Sequence, residues 1–309
     1  MFEVNHQLRD PTYEAVVLNE EIGPVRVHAD EAYRRRAVFA LEDYSSMYDG
    51  HWATYVPAAM VGCDLVALFF ERYDPNRTVG LHQKEEIWFH RPVPLGASMN
   101  YTGRYTGKYE KRGRGYTVFE SEARDVETGE LYVRQVSTEI MRIPKGIELG
   151  TGASKSTNAA LGHVVPKWPT GRAPVEFFDH TVTEGTPLVP LRKTARQAQM
   201  TIFSGGDKFR HTVHTDIGVA RATGFRTTLA QGMMETCWIA EMLSNFVGAS
   251  WHRSGYLSMA YVHPVFEGDE ITCKAVVTEV CPDSIQFEVW AENQQGVITA
   301  VGTASAVPG

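Results

Sequence analysis

The chain lacks the features that mark several large classes of protein. It has 30 Lys and Arg residues and 37 Asp and Glu, which gives a net charge of −7. Because it also has no dense run of basic residues, we do not expect a nucleic-acid binder. We read no signal peptide at Met1 and no apolar run long enough to span a bilayer. Only four cysteines occur, without metal-type spacing, at Cys63, Cys237, Cys273 and Cys281. We therefore expect a cytoplasmic protein with reduced thiols and no metal.

What is present is the composition of a globular protein. Hydrophobic residues make up 43% of the 309 positions and charged residues 22%. This length accommodates two domains of about 130–150 residues each.

The most apolar stretch is LAQGMMETCWIAEMLSNFVG, Leu229 to Gly248. Its apolar residues point in nearly every helical direction, which predicts a helix wrapped by other structure. Gly248 is a suitable C-terminal stop, and Gly232 places a backbone N–H without an intrahelical partner at the positive end of the helix dipole. A polar loop with His211 and His214 lies just upstream, so we look for chemistry at this end of the helix.

The same helix and the segment after it occur twice. Thr54 to Phe70 aligns without gaps when Thr54 is matched to Thr228, so that Ala58 falls on Gly232. The later elements FHRPVPLG (89–96) and YVHPVFEG (261–268) share an aromatic start, Pro-Val and a final Gly. An internal duplication of this length predicts two domains of similar structure.

Each predicted central helix is followed by four runs with the alternation and β-branched or aromatic content of strands. These runs are Val79–Val93, Ser98–Lys108, Tyr116–Val126 and Leu131–Met141, and then Tyr256–Val265, Glu270–Val280, Ser284–Glu292 and Val297–Ala306. The fold class is therefore α+β, and two antiparallel sheets each wrapped on a long central helix make a double hot-dog.

The remaining segments divide the chain. We assign residues 1–145 to the first domain, 146–174 to a linker rich in Gly, Ser, Thr, Lys and Pro, and 175–309 to the second. Shorter expected elements are a helix over Ala29–Tyr44 capped by Asp30, a first strand of the second domain over Val175–Val182, an ambiguous helix or strand over Lys193–Phe203, and a short helix capped by Asp216.

The second half resembles the MaoC-like (R)-specific enoyl-CoA hydratases and dehydratases. His214-Thr215-Asp216 matches the His-x-Asp of their motif, and Gly224-Phe225 and Gly232-Met233 follow in register. The Pro-Val-x-x-Gly-Asp element at 264–269 fits as well. The resemblance implies a double hot-dog that adds water to an acyl-CoA thioester, with coenzyme A only as part of the substrate.

One position departs from the motif. Five residues before His214, where the motif has an Asp, this sequence has Phe209. The positions of the motif's Asn and Pro hold His211 and Thr212. Asp207 is the nearest upstream acid, so either Asp207 reaches the site, His211 replaces it, or the role is lost. The first domain has no His-x-Asp, and the resemblance implies a non-catalytic partner that shapes the acyl pocket.

Hydration requires a proton to leave the attacking water, a proton to reach the α-carbon, and stabilisation of charge on the thioester oxygen. A histidine serves the first two and a helix-end N–H the third. We assign the catalytic roles to His214, Asp207 and Gly232. The substrate-binding residues are His211, Gln231, Met233 and Arg226. Each role has a structural alternative. His214 would only form hydrogen bonds within its loop, and Asp207 would be a turn residue. Gly232 would serve helix packing, and Arg226 would be a solvated surface charge.

The sequence thus predicts a hydratase or dehydratase that interconverts a 2-enoyl-CoA and a 3-hydroxyacyl-CoA in fatty acid metabolism. Two alternatives stay open. One is a hot-dog thioesterase that uses a carboxylate such as Asp64 or Glu235, and the other is a non-catalytic acyl-CoA-binding protein. We expect a homodimer with an acyl-CoA partner and no nucleic acid, membrane or metal.

Overall fold

A long antiparallel sheet carries the whole architecture of the chain. The computed structural model describes residues 8–50, 53–77, 80–111, 114–141, 167–205 and 211–308. Within these ranges the strands are β1 (Ile22–His28), β2 (Tyr55–Val56), β3 (Gly80–Phe89), β4 (Val93–Pro94), β5 (Ser98–Lys111), β6 (Arg114–Asp125), β7 (Leu131–Met141), β8 (Leu191–Thr194), β9 (Tyr256–Tyr261), β10 (Glu270–Cys281), β11 (Ser284–Asn293) and β12 (Ile298–Ala306). The α-helices are α1 (Glu31–Leu41), α2 (Ala58–Ala67), α3 (Gln197–Phe203), α4 (Ile217–Ala222), α5 (Gly232–Val247) and α6 (Trp251–Ser254).

Ten of the strands form one sheet in the order β1-β5-β6-β7-β3-β9-β12-β11-β10-β8. The first five belong to the first half of the chain and the last five to the second half. The halves join where β3 pairs antiparallel with β9, with Glu86 opposite Ser258. The two predicted sheets are therefore continuous through one shared ladder, and the double hot-dog fold is confirmed.

The two central helices lie against each other on one face of this sheet. α5 has twelve buried residues out of sixteen, as expected for a helix that is apolar nearly all round. It begins at Gly232, and it ends before Gly248, whose φ of 77° favours glycine. α2 is shorter and continues as a 3-10 turn over Leu68–Glu71.

The duplicated Pro-Val elements have the same structural role in both halves. In the first half, β2 pairs with β4, which holds the segment before α2 against Val93 and Pro94. In the second half, Leu229 forms a bridge with Phe266 just before α5. Each element therefore fixes the entry of its central helix, which explains why the tail and the helix repeat together.

The shorter predictions had mixed outcomes. The first helix is confirmed as α1, and Asp30 caps it by accepting a hydrogen bond from Tyr33 N at 2.8 Å. The predicted strand over Val175–Val182 is wrong, because the Asp179 carboxylate accepts from Thr181 N at 2.8 Å and turns the chain. The edge strand of this half is β8 instead.

Lys193–Phe203 contains both of its alternatives, the end of β8 and the helix α3. Residues 146–166 of the predicted linker and the last residues of the predicted first domain lie outside the described ranges, so the domain boundaries stay a prediction. None of the helices in the described ranges is long and apolar enough to cross a membrane.

Candidate active site

His214 lies on the loop between α3 and α4, and its backbone is held on both sides. Its N–H donates to Thr212 Oγ1 at 3.2 Å, and its carbonyl accepts from Gln197 Nε2 at 3.0 Å. Two residues on, Asp216 caps α4 by accepting from Gly218 N at 2.7 Å, which confirms its expected capping role. The loop therefore presents the imidazole from a fixed backbone.

The His214 ring is oriented by a backbone carbonyl. Its Nδ1 lies 2.8 Å from Leu229 O, and since a carbonyl only accepts, Nδ1 carries the proton and Nε2 keeps its lone pair. Burial lowers the pKa of His214, and the bond to Leu229 opposes this only in part. The half-buried imidazole is therefore uncharged at physiological pH, and its Nε2 can accept a proton.

The carbonyl that orients His214 belongs to the segment that leads into α5. Leu229 N donates to Val213 O at 3.2 Å, and Ala230 N donates to Val265 O at 2.9 Å. Three residues after Leu229 the helix begins at Gly232, and Gln231, at its N-cap, makes no side-chain capping bond. The carbonyl that orients the imidazole and the first residue of the helix thus belong to one short segment, Leu229 to Gly232.

Gly232 packs directly on an aromatic ring. A Cβ at this position would lie 2.9 Å from three ring carbons of Tyr261, closer than real Cβ contacts. The Tyr261 hydroxyl lies 2.6 Å from Thr236 Oγ1, one turn into α5, and this bond fixes the ring. Glycine is therefore required for packing, and the same close approach sets the position of the helix-end N–H.

A buried histidine and carboxyl from the first half of the chain reach this region. The ring of His82 on β3 packs edge-on against Tyr261, with centroids 4.9 Å apart. Its Nε2 lies 3.1 Å from Lys84 O and 3.0 Å from Glu85 Oε2. Burial lowers the pKa of His82 to about 4, so this imidazole is neutral.

Sequence reasoning missed this pair. The only signal was the run of polar residues His82 to Glu86 in a strand that leads into the apolar Ile87-Trp88-Phe89.

Two of the predicted substrate-binding residues lie at the start of α5. Gln231 Nε2 donates to Ser204 Oγ at 2.8 Å, which ties the helix entry to the end of α3. Met233 is buried, and its Cε lies 3.3 Å from where a Cβ on Gly62 would be. Since Gln231 Oε1 also lies 3.8 Å from Cys63 Sγ on α2, both side chains contact the other central helix.

The other two are peripheral. His211 has 71% of its side chain exposed and pairs with Asp216, with Nδ1 and Oδ2 3.0 Å apart. Arg226 lies 3.3 Å from Asp269 Oδ1, and its guanidinium carbon is 4.3 Å from the Phe266 ring centroid. These contacts are with residues other than those at the start of α5. The contacts of His211 and Arg226 with substrate therefore stay predictions. Asp207 and Phe209 lie outside the described residues.

The carboxylates of the thioesterase alternative are both engaged. Asp64 accepts from Arg36 at 3.1 Å, and Glu235 accepts from Thr299 Oγ1 at 2.5 Å. Burial raises the pKa of Glu235 to about 8. Among the residues that the structure describes, no group of three or more His, Cys, Asp or Glu is placed to hold a metal ion.

Comparisons with known proteins agree with this architecture. Residues 179–300 match the family described as MaoC like domain, a range that contains His214 and Gly232. Among solved structures, one described as a MaoC-like dehydratase superposes with a TM-score of 0.74 at 17% identity, over 96% of this chain and 100% of that one. No curated protein matches the sequence.

Two further structures show the same fold. A putative MaoC domain protein dehydratase from Chloroflexus aurantiacus has a TM-score of 0.66 at 13% identity, over 97% of this chain and 98% of that one. A conserved hypothetical protein from Mycobacterium tuberculosis with a double hot-dog fold has a TM-score of 0.65 at 11% identity, over 96% and 98%. At identities this low, the superpositions establish the fold alone.

Proposed function

We propose that this chain, in which residues 179–300 form a MaoC-like domain, is a hydro-lyase that interconverts a 2-enoyl-CoA and a 3-hydroxyacyl-CoA. The observation that carries the proposal is the pairing of His214 Nδ1 with Leu229 O, three residues before Gly232. We take the neutral base and the N-terminal end of the buried helix to act on one substrate at this place. Both groups are what the addition of water to an enoyl thioester requires.

In the hydration direction, the thioester oxygen accepts a hydrogen bond from the Gly232 N–H. His214 Nε2 removes a proton from water as the water oxygen forms a bond to the β-carbon. The electron pair of the double bond moves toward the thioester, and the helix end stabilises the resulting negative charge, for roughly 10²–10³ in rate. A proton then passes to the α-carbon from the His214 imidazolium; if Asp207 shares the water, a protonated Asp207 gives this proton instead and is restored by the proton that His214 has taken.

The first half of the chain supports one site per chain. Its helix α2 begins at Ala58, where α5 begins at Gly232, and the loop before it has no His-x-Asp sequence. We therefore assign it a structural and acyl-binding role without chemistry of its own.

The thioesterase alternative is less well supported. It needs an ionised carboxylate that is free to act on the thioester, whereas Glu235 holds its proton at neutral pH and the Asp64 carboxylate is held in an ion pair with Arg36. We therefore retain the hydratase as the proposal.

We also propose a reducing compartment such as the cytoplasm, because all four cysteines are free thiols and three are buried. Homodimerisation stays a prediction.

Incubation with crotonyl-CoA and longer 2-enoyl-CoAs tests the reaction class. Loss of the enoyl absorbance without release of free thiol is the result that we expect. Release of thiol indicates a thioesterase, and binding without either change indicates the non-catalytic acyl-CoA-binding protein; either result overturns the proposal.

A further inference from the structure

The inward face of the first-half sheet carries an unusual set of polar side chains. We define the polar face as Glu85 on β3, Thr117 and Ser121 on β6, and Ser137 and Glu139 on β7. These residues are neighbours across three strands, since Ser137 lies opposite Glu85 on one side and Phe119 on the other, and Glu139 lies opposite Thr117. Glu85, Thr117 and Ser137 are each at most 1% exposed. Polar groups so deeply buried are normally paired within the protein.

Three of these groups are not paired. The hydroxyls of Thr117, Ser121 and Ser137 have no hydrogen-bond partner among the residues that the structure describes. A buried hydroxyl without a partner destabilises the folded state, because it gives up its hydrogen bonds to water and gains none in return. Three hydroxyls without a protein partner on one face therefore leave hydrogen-bonding capacity that a polar group of a ligand could satisfy.

The second half of the chain provides an internal comparison, because the duplication gives each position a counterpart. Ala304 lies opposite Leu257 and Phe287, as Ser137 lies opposite Glu85 and Phe119. By the same registers the polar residues Glu85, Thr117, Ser121, Ser137 and Glu139 correspond to Leu257, Ile285, Val289, Ala304 and Ala306. Every counterpart is apolar and buried. The hot-dog fold therefore does not itself require polarity at these positions.

The polar face lies on the side of the first half that adjoins the candidate active site. His82 links the two, since its Nε2 is 3.0 Å from Glu85 Oε2 and its ring packs on Tyr261, the residue beneath Gly232. Leu81 packs against the small apolar cluster that contains Leu229, whose carbonyl orients His214. An acyl group that extends from Gly232 into the first half therefore runs toward this face.

The charge state of the face also bears on the ligand. Burial, and secondarily the nearby carboxyls of Glu139 and Glu86, raise the pKa of Glu85 well above its usual range. Burial raises the pKa of Glu139 to about 7. Protonated carboxyls and hydroxyls both donate and accept hydrogen bonds, and none of the five side chains carries positive charge to hold an anion.

We propose that the polar face binds the acyl group of the substrate, and that this acyl group carries an uncharged oxygen, a hydroxyl or a carbonyl, beyond its β-carbon. The inference rests on the proposed function, because it takes the Gly232 end of α5 as the thioester site. It distinguishes this chain from an enzyme for plain alkyl chains, whose acyl pocket would resemble the apolar face of the second half.

Binding of saturated thioesters tests the inference apart from turnover, since these molecules have no double bond to hydrate. Calorimetric titration compares hexanoyl-CoA with 5-hydroxyhexanoyl-CoA and 6-hydroxyhexanoyl-CoA. We expect at least one hydroxylated thioester to bind about 10-fold more tightly, as one additional buried hydrogen bond provides. Thr117→Val and Ser137→Ala should each reduce that preference several-fold.

Two controls separate recognition from structure. Thr303→Val makes the same change on the exposed outer surface of β12 and should leave the preference unchanged. Thr117→Val should keep or raise the thermal midpoint, because it removes an unpaired hydroxyl. The inference is overturned if hexanoyl-CoA binds as tightly as both hydroxylated thioesters, or more tightly. It is also overturned if Thr117→Val and Ser137→Ala both leave the preference intact. Absence of hydration activity alone would overturn only the proposed function.

Discussion

Replacing Gly232 with alanine perturbs the helix end with the smallest available change. The added Cβ would lie 2.9 Å from three carbons of the Tyr261 ring. The ring has little freedom to yield, because its hydroxyl is bonded to Thr236 and the His82 ring packs against it. The start of α5 must therefore move away from the ring by several tenths of an ångström.

The size of the effect follows from this displacement. Overpacking of a buried contact costs roughly 1–3 kcal/mol of unfolding free energy. A displaced N–H also loses much of its interaction with the thioester oxygen, where a single donor is worth roughly 10²–10³ in kcat. We expect Gly232→Ala to lower kcat/KM about 100-fold and to lower the free energy of unfolding by about 1–3 kcal/mol.

The assay is the loss of enoyl absorbance with crotonyl-CoA, run beside urea unfolding of the same preparation. Ala58→Gly is the matched control, since Ala58 opens α2 as Gly232 opens α5. It should cost under about 1 kcal/mol and leave kcat/KM unchanged. A Gly232→Ala enzyme that loses stability but keeps wild-type kcat/KM would show that the glycine serves packing alone and would refute the assignment of the helix end.

Three further outcomes are expected. Asp207→Asn should lower kcat roughly 10²-fold with KM little changed if this residue shares the water with His214; wild-type kinetics would remove it from the mechanism. Titration with an acyl-CoA should give one site per chain, and two equivalent sites would contradict a non-catalytic first half. Because burial raises the folded-state pKa of Glu235 from 4.5 to about 8, the stability that this group contributes should be lost as pH rises between these values, by at most roughly 5 kcal/mol. Glu235→Gln should flatten that dependence in urea unfolding at pH 5 and pH 8, and a variant with the wild-type slope would show that Glu235 is not its source.

The elements that depend on local sequence signals were predictable. Asp30 caps its helix as expected, and α5 begins at Gly232 and ends just before Gly248, because glycine and capping residues act within one turn. The repeat of Phe89–Gly96 in 261–268 predicted two similar halves, and the β3–β9 ladder confirms that they meet as equivalents.

What the sequence did not predict depends on long-range contacts. The alternation of β3 is interrupted by a bulge between His82 and Lys84, so the sequence does not show which of its polar residues face inward. His82 and Tyr261 are 179 positions apart and meet only because β3 pairs with β9. The orphaned hydroxyls of the polar face likewise become visible only when the strands are in register.

The central claim is that His214 is the base of a hydration reaction, and its direct test is the turnover of His214→Ala. Wild-type kcat/KM should fall in acid with a midpoint below 6.5, because burial lowers the pKa of His214 and only the neutral imidazole accepts the proton from water. His214→Ala should lower kcat by roughly 10²–10⁴ and keep the wild-type fold, while His28→Ala, at a histidine of the first half that pairs with Ser98, should leave kcat unchanged. A folded His214→Ala enzyme with wild-type kcat would contradict the account.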